Sequence, residues 1–263
     1  MFATIHVITF TYLGIFSKLS NGYICIHHAT ISELRKRFCR FLFSFYRNHV
    51  FHVVSELFLS EKLIDIYHVN KELVTILPFP IQRFQVQSNQ SYEIYDFVAL
   101  SASGSEQYIN NIIEYEKRHN CFKKAGIKVL LKSSGITYDN GYLTVISSHL
   151  DFTEYKFFIA SCKAVISLNG DDFISVSGPV IEALSNSKYV IGSPTAMLCD
   201  FQRRYAPVVR TADCIDELIL LICNFNELVL VSTEISQIAF NKFLFDHSEQ
   251  QMAQSIERIV QLL

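Results

Sequence analysis

Short apolar runs recur along this chain, and longer amphipathic stretches separate them. Tyr23-Ile-Cys-Ile-His27, Val50-Phe-His-Val-Val-Ser55 and Val74-Thr-Ile-Leu77 are such runs in the first third, with Ile5–Phe10 before them. Helical spacing fills Ile31–Arg47 and Glu56–Tyr67 between them. The pattern resumes with Asp96–Leu100, Ile127–Leu131, Leu143–Ile146, Ala164–Leu168, Lys188–Gly192 and Val208-Val209 as strands. Glu106–Lys124, Asp151–Ser161, Pro179–Ser185, Ile215–Cys223 and Ser248–Leu263 read as helices. Strands separated by helices require parallel pairing with right-handed crossovers, which is an α/β class.

Between the two series lies a polar segment, Ile81–Tyr92, with four glutamines and little apolar periodicity. It reads as a linker. The expected organisation is therefore a first domain over 1–80, a linker over 81–95, a second domain over 96–245 and a final helix over 246–263. The second series has the strand count of a doubly wound nucleotide-binding sheet.

Composition narrows the function classes. Half of the 263 residues are hydrophobic and 18% are charged, which excludes a disordered chain. The net charge of −2 disfavours a wholesale nucleic-acid binder. Seven widely spaced cysteines without a Cys-x-x-Cys pair read as reduced thiols in a cytoplasmic protein. No cysteine or histidine spacing matches a zinc motif, so neither a metal nor another cofactor is expected. The apolar start, Phe2–Phe16, lacks both the basic region of a signal peptide and the length of a spanning helix.

In open parallel sheets, ligands bind at the carboxyl ends of strands, near helix N-termini. The stretch Ala164–Ala183, AVISLNGDDFISVSGPVIEA, has that layout. A strand ends at Leu168, and a loop of small and acidic residues follows. Ser177-Gly178-Pro179 then opens a helix. Ser177 suits the N-cap, Gly178 permits close backbone approach, and Pro179 suits the first turn. Free N–H groups at the positive helix end make an anion site, and Glu182 one turn on can accept from a ribose diol. The same residues also make an ordinary helix start with a solvated carboxylate.

Pro179-Val-Ile-Glu-Ala-Leu184, followed by Lys188-Tyr-Val-Ile-Gly-Ser-Pro194, resembles the C-terminal half of family 4 glycosyltransferases, enzymes of the GT-B fold. Tyr205–Ile219 and Phe243–Leu263 are similar to that family's later strand and helices, and the resemblance covers roughly residues 23–263. It implies two Rossmann-like parallel-sheet domains, the N-terminal one truncated. It further implies transfer of a hexosyl-type sugar, with retention, from a nucleotide-diphosphate sugar to a polysaccharide or lipid-linked acceptor of the cell envelope. The resemblance assigns Glu182 to the nucleotide ribose, and Ser177 and Gly178 to the donor diphosphate. Gly170 and Asp171 would complete the donor loop, with Asp172 at the reacting sugar.

The sequence also departs from the family. Its first acidic position falls on Ile174, for which Asp171 and Asp172 stand in. The basic pair that neutralises the diphosphate is replaced by Leu100-Ser-Ala-Ser-Gly-Ser-Glu, where Ser103 and Gly104 are the candidate donors. A chain without those cations leaves open a second role, as a degenerate, non-catalytic remnant or a binding subunit of a partner transferase.

His27 and His28 end the strand Tyr23–Ile26 and resemble the family's acceptor-side histidine; otherwise they are structural. The helix Ile31–Arg47 carries Arg35, Lys36, Arg37 and Arg40 among five aromatic residues. A helix of that kind can lie on an anionic bilayer, or simply present one core face and one solvated face.

Overall fold

A computed structural model describes residues 24–27, 30–85, 92–101, 105–170, 173–230 and 232–261. The expected strand Ile5–Phe10 and the candidates His28, Ser103, Gly104, Asp171 and Asp172 lie outside the described residues. The chain divides into two compact units. One comprises residues 1–80, 173–176 and 245–263; the other comprises 81–172 and 177–244.

In the first unit, strands β1 (Ile24–Ile26), β2 (Phe51–Val54) and β3 (Val74–Ile76) form a parallel sheet in that order. Register places Cys25 opposite His52, and His52 opposite Val74. The expected continuous helix Ile31–Arg47 is instead two, Thr30–Glu33 and Arg37–Tyr46, with Lys36 extended between them. At 3.6 residues per turn, one straight helix would spread buried Ile31, Leu34, Cys39, Phe43 and Tyr46 around roughly half its circumference. The break lets each piece turn its own narrow stripe inward. Helix Leu57–Asp65 crosses from β2 toward β3, and the C-terminal helix Glu249–Gln261 packs near β3.

The second unit is built on seven strands. They are β4 (Phe97–Ala99), β5 (Val129–Lys132), β6 (Tyr138–Asp139), β7 (Leu143–Ile146), β8 (Ala164–Ser167), β9 (Tyr189–Gly192) and β10 (Val209–Thr211). Their spatial order is β10-β9-β8-β4-β5-β7-β6, and only β6 pairs antiparallel. Numbered along the chain, the six parallel strands read 3-2-1-4-5-6, the order of dinucleotide-binding sheets. β8 and β9 are buried at all four positions because helices cover both faces, and this is why they read as unbroken apolar runs.

Several elements differ from the sequence reading. Helix Glu106–Lys124 is broken into Glu106–His119 and Cys121–Ala125 by Asn120, which is left-handed at φ 50°. Asparagine tolerates that conformation, and buried Glu116 supports it by accepting from the Phe122 amide at 3.0 Å. Two long helices, Ala196–Tyr205 and Thr233–Asp246, have no counterpart in the expected series. The buried stripe of the first includes Asp200, ion-paired to Arg203 and Arg204; that of the second includes Ser236 and Ala239. Both stripes are therefore weak as apolar patterns. The described parts of the polar segment, 81–85 and 92–95, carry no helix or strand. Asn186 holds the first of them, accepting from the Phe84 amide and donating to the Gln82 carbonyl. Among the described residues, no helix is long and apolar enough to cross a membrane.

Candidate functional site

The strand order reverses direction between β4 and β8, and the loops leaving neighbouring strands must diverge there. A cleft of about 510 Å³ opens at this point. Gly170, just past β8, forms one side. Ser105, Gln107, Tyr108 and Asn111, from the first turns of helix Glu106–His119, form another. Cys214 and Ile215, at the start of helix Ile215–Cys223, form the third. Two helix N-termini thus face the cleft, each with first-turn N–H groups that no carbonyl of its own helix accepts and the positive end of a dipole. Together they suit an anion.

Three contacts hold this rim. The Ser105 amide donates to the Leu168 carbonyl at 2.7 Å, joining the loops after β4 and β8. Ser193, after β9, donates its hydroxyl to the Asn169 carbonyl. Glu106 accepts from the Ser133 and Ser134 hydroxyls and from the Ser134 amide beyond β5. Those hydrogen bonds keep its carboxyl below the usual carboxylate range. Ser105 occupies the N-cap without a side-chain capping bond, so its hydroxyl is not committed to the helix.

Of the candidates read from the sequence, Gly170 lines the cleft, while Ser177, Gly178 and Glu182 do not. Gly178 begins helix Gly178–Ser185, and a Cβ there would meet nothing within 4 Å, so the backbone is open to approach. Ser177 is buried at the N-cap, its amide directed at Met197 Sδ, 3.2 Å away. Glu182 Oε2 accepts the Tyr155 hydroxyl from helix Phe152–Ser161. Burial lifts the Glu182 carboxyl above its ordinary value, and the tyrosine's hydrogen bond partly opposes that. Among the described residues Oε1 has no protein partner. The cleft residues Ser105, Gln107, Tyr108 and Asn111 were not expected from the sequence; the helix-start serine before Glu106 was their only local signal.

His27 differs from its expected cleft-facing position. It is 3% exposed, and its Nε2 lies 2.7 Å from His52 Nδ1 with the two rings stacked at 5.0 Å. The reason is the sheet: His27 continues β1 beside β2, donating its own amide to the Val53 carbonyl, and Phe43 packs edge-on against both rings.

No known family profile matches the sequence, and no curated protein matches it. Solved structures do match the fold. HepE of Anabaena, in complex with UDP-glucose, superposes with a TM-score of 0.68 at 10% identity, over 99% of this chain and 77% of that one. Sucrose-phosphate synthase of Thermosynechococcus elongatus gives 0.62 at 10% identity, over 90% and 67%. A glycosyltransferase of Rickettsia africae gives 0.57 at 9% identity, over 90% and 69%. At such identities the likeness is one of fold. The fold class is α/β with Rossmann-like parallel sheets, as in GT-B glycosyltransferases.

Proposed function

We propose that this chain is a retaining glycosyltransferase of the family 4 type that takes a sugar from a nucleotide-diphosphate donor to a glycan or lipid-linked acceptor. The observation that carries the reading is the cleft at the strand-order reversal of a 3-2-1-4-5-6 sheet, lined by Ser105 and Gly170 and faced by two helix N-termini. HepE, whose fold is shared, was solved with UDP-glucose bound. In this reading the donor diphosphate lies at the helix N-termini of the cleft and against the open backbone at Gly178, where the positive helix ends stabilise the charge that develops on the leaving group. Glu182 offers Oε1 to the ribose diol while Tyr155 holds Oε2.

The test is thermal unfolding with millimolar UDP, GDP or ADP. A ligand at 100 times its dissociation constant adds about 2.7 kcal/mol, a rise of several degrees in midpoint. Glu182→Gln should weaken that nucleotide about 10- to 100-fold, since a charge-assisted hydrogen bond contributes about 1.5–3 kcal/mol. A cooperatively melting protein that no nucleotide shifts would overturn the reading.

One observation favours a second role, as a binding subunit that does not transfer. Among the described residues, the seven that line the cleft are uncharged, and none of them is a cation that would neutralise a diphosphate leaving group. Nucleotide-dependent stabilisation without sugar release from any nucleotide sugar would select that role.

The acceptor side of this proposal places helix Arg37–Tyr46 on an anionic bilayer. Phe38, Phe41 and Phe45 are exposed along one stripe, flanked by exposed Arg35, Lys36, Arg37 and Arg40. Cys39, Phe43 and Tyr46 face the core instead. Each cation near a charged surface contributes about 1 kcal/mol. The double variant Arg37→Glu/Arg40→Glu should therefore lose at least ~30-fold in partition onto phosphatidylglycerol vesicles. Equal sedimentation of both proteins would refute the membrane contact.

A further inference from the structure

We propose that Cys25, His27 and His52 form a binding site for one thiophilic d10 cation, for which zinc is the probe. The three residues converge through sheet geometry. Cys25 and His27 are two apart on β1 and leave the same face; His52 stands opposite Cys25 on β2. All three are at most 4% exposed. One donor atom from each lies within 4.8 Å of the other two. Tetrahedral zinc, with bonds of about 2.0–2.3 Å, needs donor separations of about 3.3–3.7 Å, so contraction by roughly 1 Å completes the triangle.

The hydrogen bonds settle which nitrogens carry lone pairs. His52 Nε2 lies 2.7 Å from the Arg47 carbonyl, which can only accept, so Nε2 bears the proton. His52 Nδ1 is then an acceptor, and His27 Nε2 must donate to it. His27 Nδ1 is left as a lone pair, buried and without a hydrogen-bond partner. An orphaned acceptor in the interior is costly unless something fills it. Here it sits in a cluster whose third member is a buried thiol. The Arg47 carbonyl meanwhile does for His52 what outer partners do for metal-ligating histidines, fixing tautomer and ring orientation. Phe43 closes the site with its ring against both imidazoles.

The donor set selects the ion. One thiolate and two imidazoles suit zinc or monovalent copper and reject magnesium and calcium, which take oxygen. Burial holds both imidazoles neutral, at about 3 for His27 and about 4 for His52, so they are in ligand form at neutral pH. Burial also pushes the Cys25 thiol up to about 12, so it carries its proton until a cation arrives. Binding therefore exchanges the His27–His52 hydrogen bond for two nitrogen–metal bonds. It breaks the S–H bond, forms a sulfur–metal bond and releases one proton per ion to solvent.

The test uses the full chain, titrated first with cobalt as a coloured stand-in for zinc. A thiolate-to-cobalt charge-transfer band should saturate at one equivalent and vanish when zinc or monovalent copper is added. One proton should appear in weak buffer per zinc bound. The band should be lost in Cys25→Ser and kept in Cys199→Ser/Cys214→Ser, which removes two exposed thiols. Because Cys25→Ser touches a core strand, the wild-type zinc complex supplies a separate check: its X-ray absorption spectrum should count one sulfur and two imidazole nitrogens. A folded wild-type protein without the band, a band that depends on Cys199 or Cys214, or an oxygen-only zinc shell would each overturn the proposal.

Discussion

Gly192→Ala is expected to lose more than about 3 kcal/mol of stability and, under the proposed function, to lose any stabilisation by nucleotide with it. A Cβ at Gly192 would fall on the Ser167 carbonyl oxygen, 2.8 Å from Leu198 Cδ1 and 2.9 Å from Ser167 Cβ. Overpacking a core usually costs about 1–3 kcal/mol when side chains can shift. Here one obstacle is backbone of the adjacent strand, since Gly192 is paired in register with Ser167. Relief requires β8 and β9 to separate, breaking ladder hydrogen bonds at the centre of the sheet. The loops after those strands carry Gly170 and Ser193, and Ser193 holds the Asn169 carbonyl. Strand separation therefore also displaces one wall of the cleft. Urea unfolding of Gly192→Ala beside Gly135→Ala, where a Cβ meets nothing within 4 Å, isolates the effect. A loss below about 1 kcal/mol would show that the strands yield freely.

The first unit depends on a pair far apart in sequence. His247 Nε2 and Glu56 Oε1 are 2.8 Å apart and 191 residues apart along the chain, with both side chains no more than 2% exposed. Glu56 lies between β2 and helix Leu57–Asp65, whereas His247 precedes the C-terminal helix Glu249–Gln261. Their contact closes the unit from both ends of the sequence. Removing one partner of a buried polar pair costs about 1–3 kcal/mol when neutral and about 3–5 when charged. His247→Ala and Glu56→Ala are each expected to lose about 3 kcal/mol by denaturant unfolding. The double variant should lose less than the sum of the two, by more than about 1 kcal/mol, because it removes both unmatched groups together. Strict additivity would mean that the two groups do not depend on each other.

What was legible in the sequence follows from local physics. Parallel strands covered on both faces are mostly apolar, so β2, β5, β8 and β9 stood out as short apolar runs, and the α/β class followed from their spacing. The loop after Ala164–Leu168 stood out because a strand, small residues and a helix start come in that order. The structure puts Gly170 of that loop on the cleft.

Only tertiary structure could decide the rest. Cys25, His27 and His52 look unrelated along the chain because a strand's partner and register are set by pairing, not by spacing. Glu182 meets Tyr155 across two helices, and Glu56 meets His247 across most of the chain. Ser105, Gln107 and Asn111 become cleft residues only because the strand order reverses beside them. The sequence by itself determined the α/β class, most of the parallel strands and where a turn could face a ligand, since periodicity and capping act over a few residues; it missed helices Ala196–Tyr205 and Thr233–Asp246, whose buried stripes carry polar or small residues. Which side chains share a site was decided by the order and register of the strands, because parallel sheets join residues that no local interaction connects.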